Sequence, residues 1–112
     1  MPINLSTTSP RACYSESKRL AETLIKSFTD KYHLNTRIAR IFNTYGPRIS
    51  LNDGRVIGNF IKQSFMKKEL TIYGNGLQTR SFCYVKDLID GLFSLMESNY
   101  QNPINLGNQE EI

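Results

Sequence analysis

The chain has 112 residues, one domain at most, since domains typically run ~100–150 residues. With 39% hydrophobic, 11% aromatic and 21% charged residues it is too apolar for a disordered tail and too charged for a membrane protein. No run approaches the ~18 apolar residues of a spanning helix, and Met1-Pro2-Ile3-Asn4-Leu5 has no secretory pattern, so membrane and secreted classes are not expected.

Ser9-Pro10 reads as a helix start, with proline at the first helical position, where its missing N–H costs nothing. Leu20, Ala21, Leu24, Ile25, Phe28 and Tyr32 then recur at helical spacing, so one amphipathic helix is expected over roughly Pro10–Tyr32. Thr36–Phe42 alternates and is rich in β-formers, a strand. Asn43 to Gly54 is dense in Asn, Gly, Pro, Asp and Ser and reads as a long loop. Val56, Ile57, Phe60, Ile61, Ser64 and Phe65 mark a second helix. Leu70–Tyr73 reads as a short strand before the Gly74-Asn75-Gly76 turn, and Arg80–Tyr84 as another. Val85, Leu88, Ile89, Leu92, Phe93 and Met96 mark a third helix, and Pro103–Gly107 a last short strand. Helices alternating with strands make the fold α/β. An α/β sheet needs both faces covered, and about four short strands make a poor sheet alone, so a single piece of a larger fold is expected over 1–112.

Cys13 and Cys83 form neither a CxxC nor a metal-ligand set with the single His33. Reduced, buried thiols fit them best, with cytoplasm as the expected compartment, and no metal is expected. Fourteen Lys and Arg against ten Asp and Glu give a net charge of +4. The excess is scattered, basic residues alternate with acids on the first helix, and the aromatics sit at core spacing. Nucleic-acid modules instead cluster their cations on one face beside exposed aromatics, so no nucleic-acid partner is expected.

The chemistry begins at Tyr14-Ser15-Glu16-Ser17-Lys18. A tyrosine and a lysine at i and i+4 share one helix face. An ammonium beside a phenol favours the phenolate, which can take a proton from a hydroxyl and return it. Alone, YxxxK also describes an exposed tyrosine beside a solvated lysine.

The surrounding residues add what the pair lacks. Pro10–Arg19 with Ala21-Glu22-Thr23 resembles the active-site helix of the extended short-chain dehydrogenase/reductases that act on nucleotide sugars. Arg40-Ile41-Phe42-Asn43-Thr44-Tyr45-Gly46-Pro47-Arg48, Asn52–Val56, Ile72–Phe82, Tyr84–Asp87 and Ile104–Asn108 follow in the order of that family. Within it, RIFNTYGPR, NDGRV and YGNGLQTRSF are most similar to the UDP-glucuronate decarboxylases; 4,6-dehydratases and 4-epimerases share the general pattern. The resemblance implies a partial Rossmann-type fold: residues 10–42 as the catalytic helix and following strand, 43–112 mostly as the sugar-nucleotide lobe. Nothing here matches GxGxxG after a strand, the dinucleotide cradle, so the N-terminal dinucleotide-binding half is expected to be lacking and the chain inactive alone. A non-catalytic interaction module is the weaker alternative.

The resemblance also implies NAD as cofactor, a UDP-sugar as substrate and a homodimer in the intact enzyme. The sugar C4 hydroxyl is oxidised, the resulting β-keto acid loses carbon dioxide, and reduction at C4 leaves UDP-xylose. Tyr14 is the implied acid/base, and Lys18 its modulator and a ribose ligand. Tyr14, Lys18, Thr44 and Arg55 are implied on the cofactor side; Asn43, Asn59 and Arg80 on the substrate. Arg55 opens a helix, where a cation suits the dipole poorly, which favours a functional role. Asn43 is otherwise a turn residue at a strand exit. Arg80 has a planar fork suited to a phosphate, and the Gly74-Asn75-Gly76 turn before it is compatible with that role. Tyr73 and Phe82 read as packing residues, and Arg48 as either a phosphate ligand or a loop residue. Ser15 and Ser17 stand where the decarboxylases usually carry Asp and Gly, Phe28 where they can carry Tyr, and Ser50 where they can carry His.

Overall fold

Twenty-one consecutive residues without proline or glycine, Ala12–Tyr32, form helix α1 in the computed structural model, which describes residues 6–10, 12–52 and 54–112. Pro10 lies in a turn ahead of the helix, with the Ala12 N–H donating to the Ser9 carbonyl at 2.9 Å. Arg11, inside the expected helix start, and Asp53 of the NDGRV run lie outside the described residues. At the other end His33 adopts φ 53°, and the Leu34 N–H reaches back to the Thr29 carbonyl at 3.2 Å. That six-to-one closure ends helices that turn left-handed at their C-terminus, here without the usual glycine.

The chain divides into two compact units, one running to Ile38 and including Asn99–Ile104, the other holding Ala39–Ser98 and Asn105–Ile112. In the first, Thr29 is buried and its hydroxyl lies 2.7 Å from the Ile25 carbonyl and 2.6 Å from the Thr36 hydroxyl. The Ile104 N–H donates to the Ile38 carbonyl at 3.0 Å.

Strand β1 (Ala39–Ile41) pairs with β4 (Ile104–Leu106), whose Asn105 and Leu106 belong to the second unit, and within that unit β2 (Asn43–Tyr45) pairs with β3 (Phe82–Tyr84). The β2–β3 ladder is parallel, with Asn43 opposite Phe82, Thr44 opposite Cys83 and Tyr45 opposite Tyr84. Helices α2 (Val56–Phe65) and α3 (Val85–Glu97) complete it, and α3 packs against β1, β2 and β3. The parallel ladder bears out the α/β, Rossmann-type expectation. A parallel pair requires a long crossover, and the 36 residues between Tyr45 and Phe82, with α2 among them, provide it.

Three expectations of strand need correction. Asn43–Tyr45 is strand, not the start of a loop, because β3 offers it a ladder and the Tyr45 and Tyr84 rings meet at 5.6 Å. Cross-strand partners override a residue's local preference. Leu70–Tyr73, conversely, forms no strand. The Thr71 N–H and hydroxyl are taken by the Gln63 amide of α2 at 3.1 and 2.9 Å, and Ile72 and Tyr73 stay exposed. A side chain from α2 therefore supplies what a ladder would have supplied. The Thr36–Phe42 strand also contracts to Ala39–Ile41.

Among the described residues only Ala12, Cys83, Leu88 and Leu95 are buried hydrophobics. Cys83 is thus the buried thiol expected, whereas Cys13, on an α1 that is exposed along most of its length, is itself exposed. Leu20, Leu24, Phe28, Phe65, Phe93 and Met96 are exposed by half or nearly so and more. Soluble monomers rarely leave so many large apolar side chains in water.

Candidate active site

Helix α1 places Tyr14 and Lys18 one turn apart, and the Lys18 ammonium lies 5.7 Å from the centre of the Tyr14 ring. That is within the ~6 Å reach of a cation–π contact. Tyr14 is 63% exposed, so its hydroxyl is open to a reactant. Its carbonyl accepts the Ser17 hydroxyl at 2.8 Å, and among the described residues Lys18 has no carboxylate partner. The ammonium charge is thus left to the phenol face it shares.

In the second unit Asn43 lines one hollow, of about 310 Å³, together with Ile41, Phe42, Thr79, Arg80, Ser81 and Glu111. Thr44 lines another, of about 130 Å³, with Tyr45, Gly46, Arg48 and Val85. The two residues that the sequence places side by side therefore serve different spaces. Arg48 joins the Thr44 hollow rather than the Arg80 one, in a left-handed conformation with φ 66°. An added Cβ at Gly46 would collide with the Val85 side chain, so that hollow's wall depends on glycine.

Arg80 is fixed by its backbone. Its N–H donates to the Ile112 carbonyl at 2.9 Å, and the Ile112 N–H returns the bond at 3.0 Å. Its guanidinium Nη1 donates to the Thr79 carbonyl at 2.7 Å. On either side, the Thr79 hydroxyl donates to the Glu111 carboxylate at 2.8 Å, and the Ser81 hydroxyl donates to the Asn108 carbonyl. Residues 108–112 thus hold the Thr79–Ser81 tripeptide along its length. Asn43 and Arg80 share a hollow, as their implied common ligand requires.

Arg55 is the residue capping α2, with φ −74° and ψ 148° and no side-chain bond to the helix end. Asn59, one turn on, donates its amide to the Gly54 carbonyl at 3.2 Å, and its backbone N–H to the Arg55 carbonyl at 2.9 Å. Neither residue lines the Asn43–Arg80 hollow. The sequence reading did not single out Thr79, Ser81 or Glu111. Glu111 meets Thr79 across 32 positions, a separation at which no local pattern announces a contact.

A donor set of phenol and ammonium on one exposed helix face fits the ribose hydroxyls of a dinucleotide. Among the described residues the chain holds no glycine-rich strand-to-helix cradle for the pyrophosphate.

The sequence profile described as the NAD dependent epimerase/dehydratase family matches residues 2–107. UDP-glucuronic acid decarboxylase 1 of Xenopus tropicalis is 54% identical over 102 residues, covering 91% of this chain and 24% of that protein. Among solved structures, UDP-N-acetylglucosamine 4-epimerase of Methanobrevibacter ruminantium superposes with TM-score 0.85 at 31% identity, over 99% of this chain and 37% of that one. UDP-glucuronic acid 4-epimerase of Bacillus cereus, in complex with UDP-glucuronic acid and NAD, superposes with TM-score 0.81 at 33% identity, over 100% of this chain and 34% of that one. The chain spans a quarter to a third of the length of the curated relatives it matches.

Proposed function

The chain belongs to the NAD-dependent epimerase/dehydratase family, and from that membership we propose that it forms part of a UDP-glucuronate decarboxylase. The observation that carries the reading is the meeting of Asn43 and Arg80 on one hollow while Tyr14 and Lys18 share one exposed helix face. Identity to UDP-glucuronic acid decarboxylases above 50% supports decarboxylation over the reaction of the two 4-epimerases above, which are similar at 31 and 33%.

In this reading the Tyr14 phenolate takes the proton of the sugar C4 hydroxyl and later returns it to the C4 oxygen. Lys18 stabilises that phenolate electrostatically and donates to the ribose of NAD. When bound, NAD supplies the acceptor and then the donor of the C4 hydride. Once C4 is a ketone, the uronate carboxylate is that of a β-keto acid, and carbon dioxide leaves with the electron pair held as an enolate on the ketone oxygen; a proton from solvent added at C5 then restores the C4 ketone for reduction. Asn43 holds the sugar nucleotide by its amide, and Arg80 neutralises the diphosphate with its planar fork. Asn59 is the second residue assigned to the diphosphate. Thr44 and Arg55 are assigned to the cofactor; Thr44 lines a hollow other than that of Asn43, and Arg55 lines neither. Residues 10–42 would carry the proton chemistry and 43–112 most of the sugar-nucleotide grip. The exposed α1 side chains Leu20, Leu24 and Phe28 are proposed to pair with a second copy.

The test uses the protein in the longest reading frame that contains this sequence, with NAD⁺ and UDP-glucuronate. Release of carbon dioxide with formation of UDP-xylose is expected. Tyr14→Phe should lower turnover by ~10²–10⁴-fold, the usual worth of a positioned acid/base, with little change in UDP affinity. Epimerisation or dehydration without carbon dioxide release would reject the decarboxylase reaction, and full activity of Tyr14→Phe would reject the assignment of the helix.

A further inference from the structure

The hollow that holds Asn43 and Arg80 also carries one carboxylate, that of Glu111. Its Oε2 accepts the Thr79 hydroxyl at 2.8 Å, which anchors the group beside Arg80 without neutralising it. Among the described residues Glu111 makes no ion pair, so its carboxylate keeps lone pairs for further hydrogen bonds. The reciprocal backbone pair between Arg80 and Ile112 fixes the neighbouring residue, so the placement of Glu111 does not depend on its own side chain.

A carboxylate in this position cannot face the anionic part of a ligand. Beside a diphosphate held by Arg80, it must meet a neutral group that donates hydrogen bonds. Two oxygens on one carboxylate match two adjacent hydroxyls, the pattern of a vicinal diol. The diphosphate of a nucleotide sugar has a neutral ribose on one side. On the other, in the proposed substrate, it has a uronate whose carboxylate Glu111 would repel. We propose that Glu111 accepts the 2′- and 3′-hydroxyls of the ribose of a nucleoside diphosphate bound by Arg80, and so selects ribonucleotide over deoxyribonucleotide sugars. This rests on the assignment of the Asn43–Arg80 hollow to the nucleotide and adds the residue that discriminates its sugar.

The measurement is calorimetric binding of UDP and of 2′-deoxy-UDP to the protein in the longest reading frame that contains this sequence. The unmodified protein should prefer UDP by about tenfold, the worth of one charge-assisted hydrogen bond. Glu111→Gln and Glu111→Ala should each weaken both ligands, since each loses its 3′-hydroxyl contact, but weaken UDP about tenfold more than 2′-deoxy-UDP and so abolish the preference. Glu111 is exposed, so neither variant disturbs a core. A preference that survives both substitutions overturns the role of Glu111. Substitutions that weaken a UDP-hexose but not UDP would move the diol to the hexose and overturn the ribose assignment. Failure of the unmodified protein to bind UDP at all would reject the nucleotide hollow itself, and with it this inference.

Discussion

Gly107 follows strand β4, and a Cβ built on it would lie 2.5 Å from Phe42 Cγ and 2.6 Å from Phe42 Cβ and Cδ2. Ordinary carbon contacts lie at ~3.5–4.0 Å, so Gly107→Ala demands a displacement of about 1 Å. The crowded atoms are the root of the Phe42 side chain rather than its tip, so rotating the ring does not relieve them. The Phe42 backbone has to move, yet its N–H donates to the Leu106 carbonyl at 2.9 Å. Overpacking of this kind costs about 1–3 kcal/mol. At roughly 4–8 °C per kcal/mol for a domain of this size, the melting temperature should fall by at least ~4 °C. Thermal unfolding followed by circular dichroism measures it. Because Phe42 also lines the Asn43–Arg80 hollow, UDP affinity should fall along with stability. A second test isolates the cause: in a Phe42→Ala background two of the three crowded atoms are gone, and the cost of Gly107→Ala should shrink. A melting temperature unchanged by Gly107→Ala, or an equal loss in both backgrounds, would refute the steric argument.

Arg80→Ala leaves the backbone pair with Ile112 in place and removes only the guanidinium. Losing a charge-assisted contact costs ~1.5–3 kcal/mol, so the UDP dissociation constant should rise roughly ten- to a hundredfold by calorimetry; an unchanged value makes Arg80 structural. Leu24 is 48% exposed at the middle of α1. If α1 pairs with a second copy, Leu24→Lys should shift the protein from dimer to monomer in size-exclusion chromatography, and an unmodified protein that is already a monodisperse monomer contradicts the pairing.

The three helices were legible because their signal is local. Apolar residues three and four apart mark α2 and α3 from Val56 and Val85, where the structure also starts them, and the Tyr14–Lys18 pair follows from helical geometry alone. The family was legible too, since its runs of Asn, Tyr, Gly and Arg stand in the sequence itself. Strands of three residues carry no such signal. Asn43–Tyr45 is a strand only because Phe82–Tyr84 lies beside it, and Leu70–Tyr73 is not one because Gln63 occupies Thr71 instead. Hydrogen bonds between distant residues decide both cases, and no local propensity encodes them. The site divides the same way. Which residue types could bind a sugar nucleotide was written in the chain. That Asn43 and Thr44 line different hollows, that Arg80 is gripped by Ile112, and that Glu111 stands beside it were decided by tertiary pairing. Asn43 and Thr44, neighbours in sequence, line separate hollows, while a bond across 32 positions brings Thr79 and Glu111 together.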